Sequence, residues 1–160
     1  MMVDHSSDDK SKQTLEPQGQ PFTALPLVFL DVETTGLRPV GEHRLCEVAL
    51  LRVRGDVVEA ELEYLVNPQR PVGAQAAAVN GITSEMLQDA PLFPAIVPEL
   101  LAVLHDTIIV AHNAPFDMAF LHYELERAGH ATPLANPVLD TLVLARRLMH
   151  RQFYNLPSLA

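Results

Sequence analysis

Apolar and polar positions change period several times along this chain, and each change of period predicts an element. Residues 25–30 form an apolar run broken only by Pro26 and lead into Asp31-Val32-Glu33. Such a run reads as a short buried strand. Side chains alternate faces along a strand, so Asp31 and Glu33 point one way and Val32 the other. Residues 38–42, with Pro39 and Gly41, predict a loop. Residues 45–53 predict a second strand, Gly55-Asp56 a two-residue hairpin turn, and 57–66 the partner strand. In that partner Val58, Ala60, Leu62, Tyr64 and Val66 alternate with Glu59, Glu61 and Glu63, giving one buried face and one wet, edge-protecting face.

Asn67-Pro68-Gln69-Arg70-Pro71 leaves the sheet. A small-residue stretch over 73–79 leads to Asn80-Gly81-Ile82-Thr83-Ser84, where Thr83 is placed to cap a short helix. Pro94 opens a helix with Ile96, Val97, Leu100, Leu101 and Leu104 at helical spacing. Residues 107–111 predict a buried strand ending in His112-Asn113. Residues 114–128 carry the clearest helical pattern, with Asn113 as cap, Pro115 in the first turn and Gly129 as stop. Residues 137–140 predict a last short strand, and 141–150 a helix with Arg146, Arg147, His150 and Arg151 near its end. Those cations suit the negative end of a helix dipole; contact with phosphate is the sharper alternative. A strand, a hairpin, then helices alternating with single strands make a mixed sheet with helices packed on it, an α/β domain rather than a barrel.

Composition narrows this further. The 160 residues suit one domain, and 48% hydrophobic content supports a sizeable core. Residues 1–24 hold little that could be buried and read as a disordered tail, which leaves 25–160 as the domain. The tail is too polar for a secretory signal, and no apolar run approaches the ~20 residues of a membrane-spanning helix. A lone Cys46 cannot form an internal disulfide and fits a reducing cytoplasm. Eleven basic against twenty acidic residues give a formal net charge of −9, so any polyanionic substrate has to be drawn in by bound cations and local basic residues.

Candidate chemistry collects in two places. Asp31 and Glu33, side by side at a strand end, repel each other unless a cation lies between them, and hard ions such as Mg²⁺ take oxygen ligands of this kind. Thr34-Thr35-Gly36 then breaks the strand, and the glycine allows a close approach of backbone to whatever occupies the site. His112-Asn113-Ala114-Pro115-Phe116-Asp117 lies where a strand hands over to a helix, a common place for functional groups. Each has a plainer reading by itself: a solvated acid pair, an acid at a helix N-terminus, a satisfied core histidine.

Together, Phe29-Leu30-Asp31-Val32-Glu33-Thr34-Thr35-Gly36-Leu37 and His112-Asn113-Ala114-Pro115-Phe116-Asp117 resemble the first two motifs of the DEDD exonucleases. This 3′→5′ family includes the proofreading epsilon subunit of bacterial DNA polymerase III, RNase T and oligoribonuclease. Asn67-Pro68, Val79-Asn80-Gly81-Ile82-Thr83 and Leu139-Asp140-Thr141-Leu142 with Leu144-Ala145-Arg146 resemble its proofreading branch. The resemblance runs from residue 25 to the last residue. It implies an RNase H-like fold, a five-stranded mixed sheet with its second strand antiparallel, flanked by helices. It also implies a phosphodiester hydrolase that uses two Mg²⁺ or Mn²⁺ ions, with Asp31 bridging both, Glu33 on the nucleophile side and Asp117 on the other. By the same resemblance the backbone of Thr34 and Thr35 meets the terminal nucleotide and Leu37 wedges against a base. Asn113 and Phe116 line the cleft, with His112 near it. Asp140 matches a family position without an assigned role.

The family's third motif, His-x-x-x-x-Asp in the DEDDh branch or Tyr-x-x-x-Asp in the other, supplies a general base and a fourth carboxylate. His150 with Asn155, and Tyr154 with Ser158, have the spacing without the charge. Residues 155–160 read as the start of the last helix, so the expectation is a C-terminally incomplete exonuclease domain with weak ion binding and impaired activity. Its expected partners are single-stranded DNA 3′ ends and a DNA polymerase subunit, in the cytoplasm and away from any membrane. An RNA-trimming relative, or a non-catalytic nucleic-acid- or polymerase-binding remnant, is the alternative.

Overall fold

The computed structural model describes residues 24–39, 43–130, 132–150 and 153–159. Five strands, β1 (Pro26–Thr34), β2 (Leu45–Arg54), β3 (Val57–Leu65), β4 (Ile108–Ala111) and β5 (Val138–Asp140), form one sheet in the order β3-β2-β1-β4-β5. β2 pairs antiparallel with β1 and β3, whereas β4 is parallel to β1 and β5. This is the mixed sheet expected, with β2 alone running against the rest. The acid-bearing strand β1 lies at its centre.

Helices α1 (Ala74–Asn80), α2 (Phe93–Leu104), α3 (Ala114–Arg127), α4 (Thr141–Leu148) and α5 (Leu156–Leu159) complete the fold. Val28, Leu30 and Val32 of β1 join Val48 and Leu50 of β2, Leu62 of β3 and Ile109 of β4 on the buried sheet face. Phe93, Ile96, Val97, Leu100 and Leu104 of α2 close over them, together with Phe120, Leu121 and Leu125 of α3. The spacing of each helical set puts it on one face, so apolar burial fixes both helices against the sheet. Cys46 belongs to a smaller cluster with Ile82 and Leu87. Burial, then Glu33 and Glu47, push its thiol up to about 12, which leaves it unreactive.

Three local expectations need correction. The short helix lies before Asn80, not after Thr83. Ala74, Ala76, Ala77 and Ala78 supply helix propensity there, and Gly81 ends it at φ 74°. After Thr83 there are only turns, with the Met86 amide donating to Thr83 Oγ1 at 3.4 Å. Asn113 precedes α3 in a left-handed conformation (φ 65°) and makes no side-chain cap. Val58, expected to point inward, is 57% exposed. It lies past a register shift between Arg52 and Val53: Ala60 pairs with Arg52, but Val58 pairs with Val53, whose side chain points to the other face. The predicted tail falls outside the described residues except for Ala24, as do Gly41 of the predicted loop and Arg151 of the basic cluster.

Candidate active site

Alternation along β1 leaves Phe29, Asp31 and Glu33 on the sheet face opposite the core, with Asp31 exposed and Glu33 half-buried. A concavity of about 420 Å³ opens on this face, lined by Phe29, Asp31, Glu61, Glu63, His112 and Thr141 among others. Glu61 and Glu63 of the expected wet strand face therefore stand on the same side as Asp31. Glu47, register partner of Glu33, is held above the usual carboxylate range by burial first and by Glu63, Glu33 and Asp31 after it. Carboxylates of three strands thus share one face, which no single strand's pattern revealed.

Beyond Glu33 the register shifts, and the chain turns through Thr34-Thr35-Gly36. Thr34 Oγ1 donates to the Gly36 carbonyl at 2.7 Å, while Thr35 and Arg44 exchange two bonds of 2.9 and 3.0 Å. Both threonine side chains are buried, so the loop can offer a ligand only its backbone. Leu37, 83% exposed, stands free at the tip. A Cβ on Gly36 would overlap the His43 imidazole. Gly36→Ala is therefore expected to cost about 1–3 kcal/mol in thermal or urea unfolding, the range for overpacking.

The first turn of α3 brings in Asp117, only 4% exposed. The Val32 amide donates to its Oδ1 at 3.2 Å, fastening the helix start to β1 between the two acids. Burial, and next the Asp31 carboxylate, push the Asp117 pKa up to about 7, against the pull of its own and Val32's amides. Glu33 is also raised, by burial and by Asp31, with an opposing hydrogen bond from Asn80. The charge of Asp31 acts on both Glu33 and Asp117, which joins the three acids in one electrostatic unit. Among the described residues no three Asp, Glu, His or Cys side chains form a ready-made metal cage. The donor set still fits a hard cation: all its atoms are carboxylate oxygens, Asp117 keeps Oδ2 free of the Val32 amide, and their mutual repulsion is what a cation relieves.

This has a definite pH consequence. An acid whose folded pKa is raised contributes stability that is fully present below its unfolded pKa and lost as pH rises through the folded one. From the ordinary 3.8 to about 7, Asp117's contribution falls by on the order of 4 kcal/mol in metal-free protein. Divalent cations are expected to raise the Tm more above about pH 7 than below about pH 5, as read by calorimetry.

Two supports of the site have roles that were not legible in the sequence. Arg44 Nε and an Nη of the same guanidinium hold both oxygens of Glu124 at 2.6 and 2.7 Å, and a second Nη reaches the Pro68 carbonyl at 3.2 Å. Glu124 lies two turns beyond Asp117 on the buried side of α3, so this fork ties the Thr35 loop to the helix that carries Asp117. The available signal was a glutamate inside the apolar set Phe120, Leu121 and Leu125. The second support is Asp140. Its Oδ1 accepts from the Leu142 and Val143 amides at 2.8 and 3.4 Å, capping α4, and from the Asn113 amide at 3.1 Å. Asp140 therefore holds the turn before α3.

His112 is half-buried on the concavity, and Asn113 is exposed. Phe116 instead packs on the core, its ring centroid 5.2 Å from that of Phe120. Arg146 and Arg147 are exposed in the last turn of α4 and do not line the concavity, the placement that complements a helix dipole. No described helix is long and apolar enough to cross a membrane.

Residues 28–160 match the family model described as exonuclease, RNase T. The chain is 36% identical over 143 residues to the DNA polymerase III epsilon subunit of Rickettsia conorii, covering 86% of this chain and 62% of that protein. It is 39% identical over 128 residues to the PolC-type DNA polymerase III of Bacillus subtilis, covering 80% of this chain and 9% of that one. Among solved structures, exonuclease X in complex with 5′ overhanging duplex DNA aligns with TM-score 0.65 and 28% identity, over 83% of this chain and 70% of that one. E. coli exonuclease I, solved with a dA16 oligonucleotide, shares the fold at TM-score 0.69 and 20% identity, over 77% of this chain and 29% of that one. The chain thus spans about 62% of its epsilon relative. Divalent-metal dependence goes with this family. A sheet order that brings Asp31, Glu33 and Asp117 to one strand end, and a family match over most of the sequence, agree: the chain belongs to the exonuclease family, the DEDD exonucleases that its two acidic motifs resemble.

Proposed function

We propose that this chain is a metal-dependent 3′→5′ exonuclease domain that removes nucleotides from DNA ends in a proofreading or trimming role. The observation that carries the reading is the coupling of Asp31 to both Glu33 and a buried Asp117 beside an open concavity. Asp31, Glu33 and Asp117 would hold two Mg²⁺ or Mn²⁺ ions, which when bound supply Lewis-acid polarisation of the phosphate and lower the pKa of water. Asp31 is the acid whose charge acts on both Glu33 and Asp117, so it would be the ligand that the ions share. Glu33 is steadied by Asn80, and Asp117 by the Val32 amide. Backbone groups of the Thr34-Thr35 turn, braced at Thr35 by Arg44, would orient a terminal nucleotide, with Leu37 wedging against its base. Similarity to epsilon and PolC-type proteins favours DNA as substrate and a polymerase as partner.

The test uses 5′-labelled DNA and RNA oligonucleotides of one sequence, with Mn²⁺ and with chelator. A chelator-sensitive ladder shortening one nucleotide at a time from the 3′ end, DNA before RNA, is the expected result. Internal cuts, 5′ trimming or chelator-insensitive cleavage would overturn the reading. Absence of both trimming and cation-induced stabilisation would favour a non-catalytic binding role.

A further inference from the structure

Two contacts at the junction of β5 and α4 fix the state of a residue that lines the concavity. The Thr141 hydroxyl lies 3.2 Å from the Ala111 carbonyl and 3.0 Å from His112 Nδ1. A hydroxyl has one hydrogen to give, and a carbonyl can only accept. Both contacts are hydrogen bonds in one arrangement only: Thr141 donates to Ala111, and His112 Nδ1–H donates to Thr141 Oγ1. A neutral imidazole with hydrogen on Nδ1 carries a lone pair on Nε2. That nitrogen has no hydrogen-bond partner among the described residues and is not among their buried, unpartnered atoms. Because Nδ1 is turned to Thr141, the other ring edge is the one left to the concavity that His112 shares with Asp31. β1 and β4 are parallel and their pairing ends at Phe29 and Val110, so Asp31 and His112 each follow two residues later at the same end of the sheet.

We propose that Thr141 is a positioning residue that locks His112 in the Nδ1–H tautomer, so that Nε2 faces the carboxylate site as a hydrogen-bond acceptor. Such an atom receives a hydroxyl-type donor, either a water or the sugar hydroxyl of a terminal nucleotide. It does not bind phosphate oxygen, which itself only accepts. Asp140, bonded to the Asn113 amide, holds the same turn from the adjacent residue and keeps the His112–Thr141 pair in register. The sugar-hydroxyl part of this inference rests on the nucleotide-site reading above; the tautomer does not.

The experiment is nitrogen-15 NMR of the imidazoles of the 160-residue chain, without metal, in mildly alkaline buffer where an ordinary imidazole is neutral. The expected result is a His112 Nε2 resonance at the unprotonated position with Nδ1 at the protonated one. Thr141→Val is expected to shift the tautomer ratio by roughly fivefold toward Nε2–H, the worth of one ordinary hydrogen bond. Thr141→Ser, which keeps the hydroxyl, should restore the wild-type pattern. Thymidine 5′-monophosphate and its 3′-deoxy counterpart then separate the two donors. A shift of Nε2 with the first alone identifies the sugar hydroxyl, and an equal response to both identifies water. An Nε2–H tautomer in the wild-type chain would overturn the proposal even if the valine variant failed to fold. So would a valine variant that folds with an unchanged ratio.

Discussion

Replacing Arg44 with alanine is expected to remove about 3–5 kcal/mol of folding stability, the cost of leaving one partner of a buried ion pair uncompensated. Glu124 is 1% exposed and Arg44 13%, so water cannot take over when either is lost. The pair is a fork, with both Glu124 oxygens occupied, and Glu124 Oε1 also receives the Leu45 amide at 3.4 Å. A lysine supplies one point charge where two parallel bonds are needed, so Arg44→Lys should recover only part of the loss. The double change Arg44→Met with Glu124→Leu should be far milder than either single change, because no buried charge is then left alone. Urea unfolding monitored by circular dichroism measures all three. A loss below about 1 kcal/mol in Arg44→Ala would place this pair with ordinary surface ion pairs and end its role as the clamp between loop and helix.

The second large effect is on activity. Asp31→Asn should lower Mn²⁺-dependent 3′ trimming to background, a fall of at least about 10²–10³-fold, the scale for removing one fixed electrostatic partner of a transition state. The same substitution should make the metal-free protein more stable at neutral pH. Asp31 is the charge that raises both Glu33 and Asp117, so neutralising it lets Asp117 ionise at lower pH and weakens the pH dependence of stability. Opposite signs on activity and metal-free stability separate a ligand role from a merely structural one. Oligonucleotide digestion and pH-dependent calorimetry on the same preparation supply the two readouts. Retained trimming, or a destabilised metal-free variant, would refute the assignment.

The strands, the main helices and the two acidic segments were legible in the sequence because each is encoded by a local period. Alternation in residues 25–33 put Asp31 and Glu33 on one face, and helical spacing after residue 93 and after residue 114 gave α2 and α3. The order of elements gave a mixed sheet, and the resemblance supplied its five strands with the second antiparallel, which the strand pairing matches. Local misreadings have local causes: Thr83 is a good capping residue followed by too little helix, and Val58 alternates correctly but lies beyond a bulge.

What period cannot encode is which distant atoms meet. The bond from the Val32 amide to Asp117 spans 85 residues, and the Arg44–Glu124 fork spans 80. Neither follows from the local sequence at either end. Whether a glutamate is solvated or joins a shared acidic face depends on sheet order and register, as Glu47, Glu61 and Glu63 show. The direction of a proton on His112 depends on one hydroxyl reached only after β5 is laid beside β4. The sequence by itself determined which residues carry charge and which face of each element they occupy, because these depend on neighbours two to four positions away. The tertiary structure decided which charges are buried, paired or coupled. Those are properties of the space between elements, set by desolvation and distance.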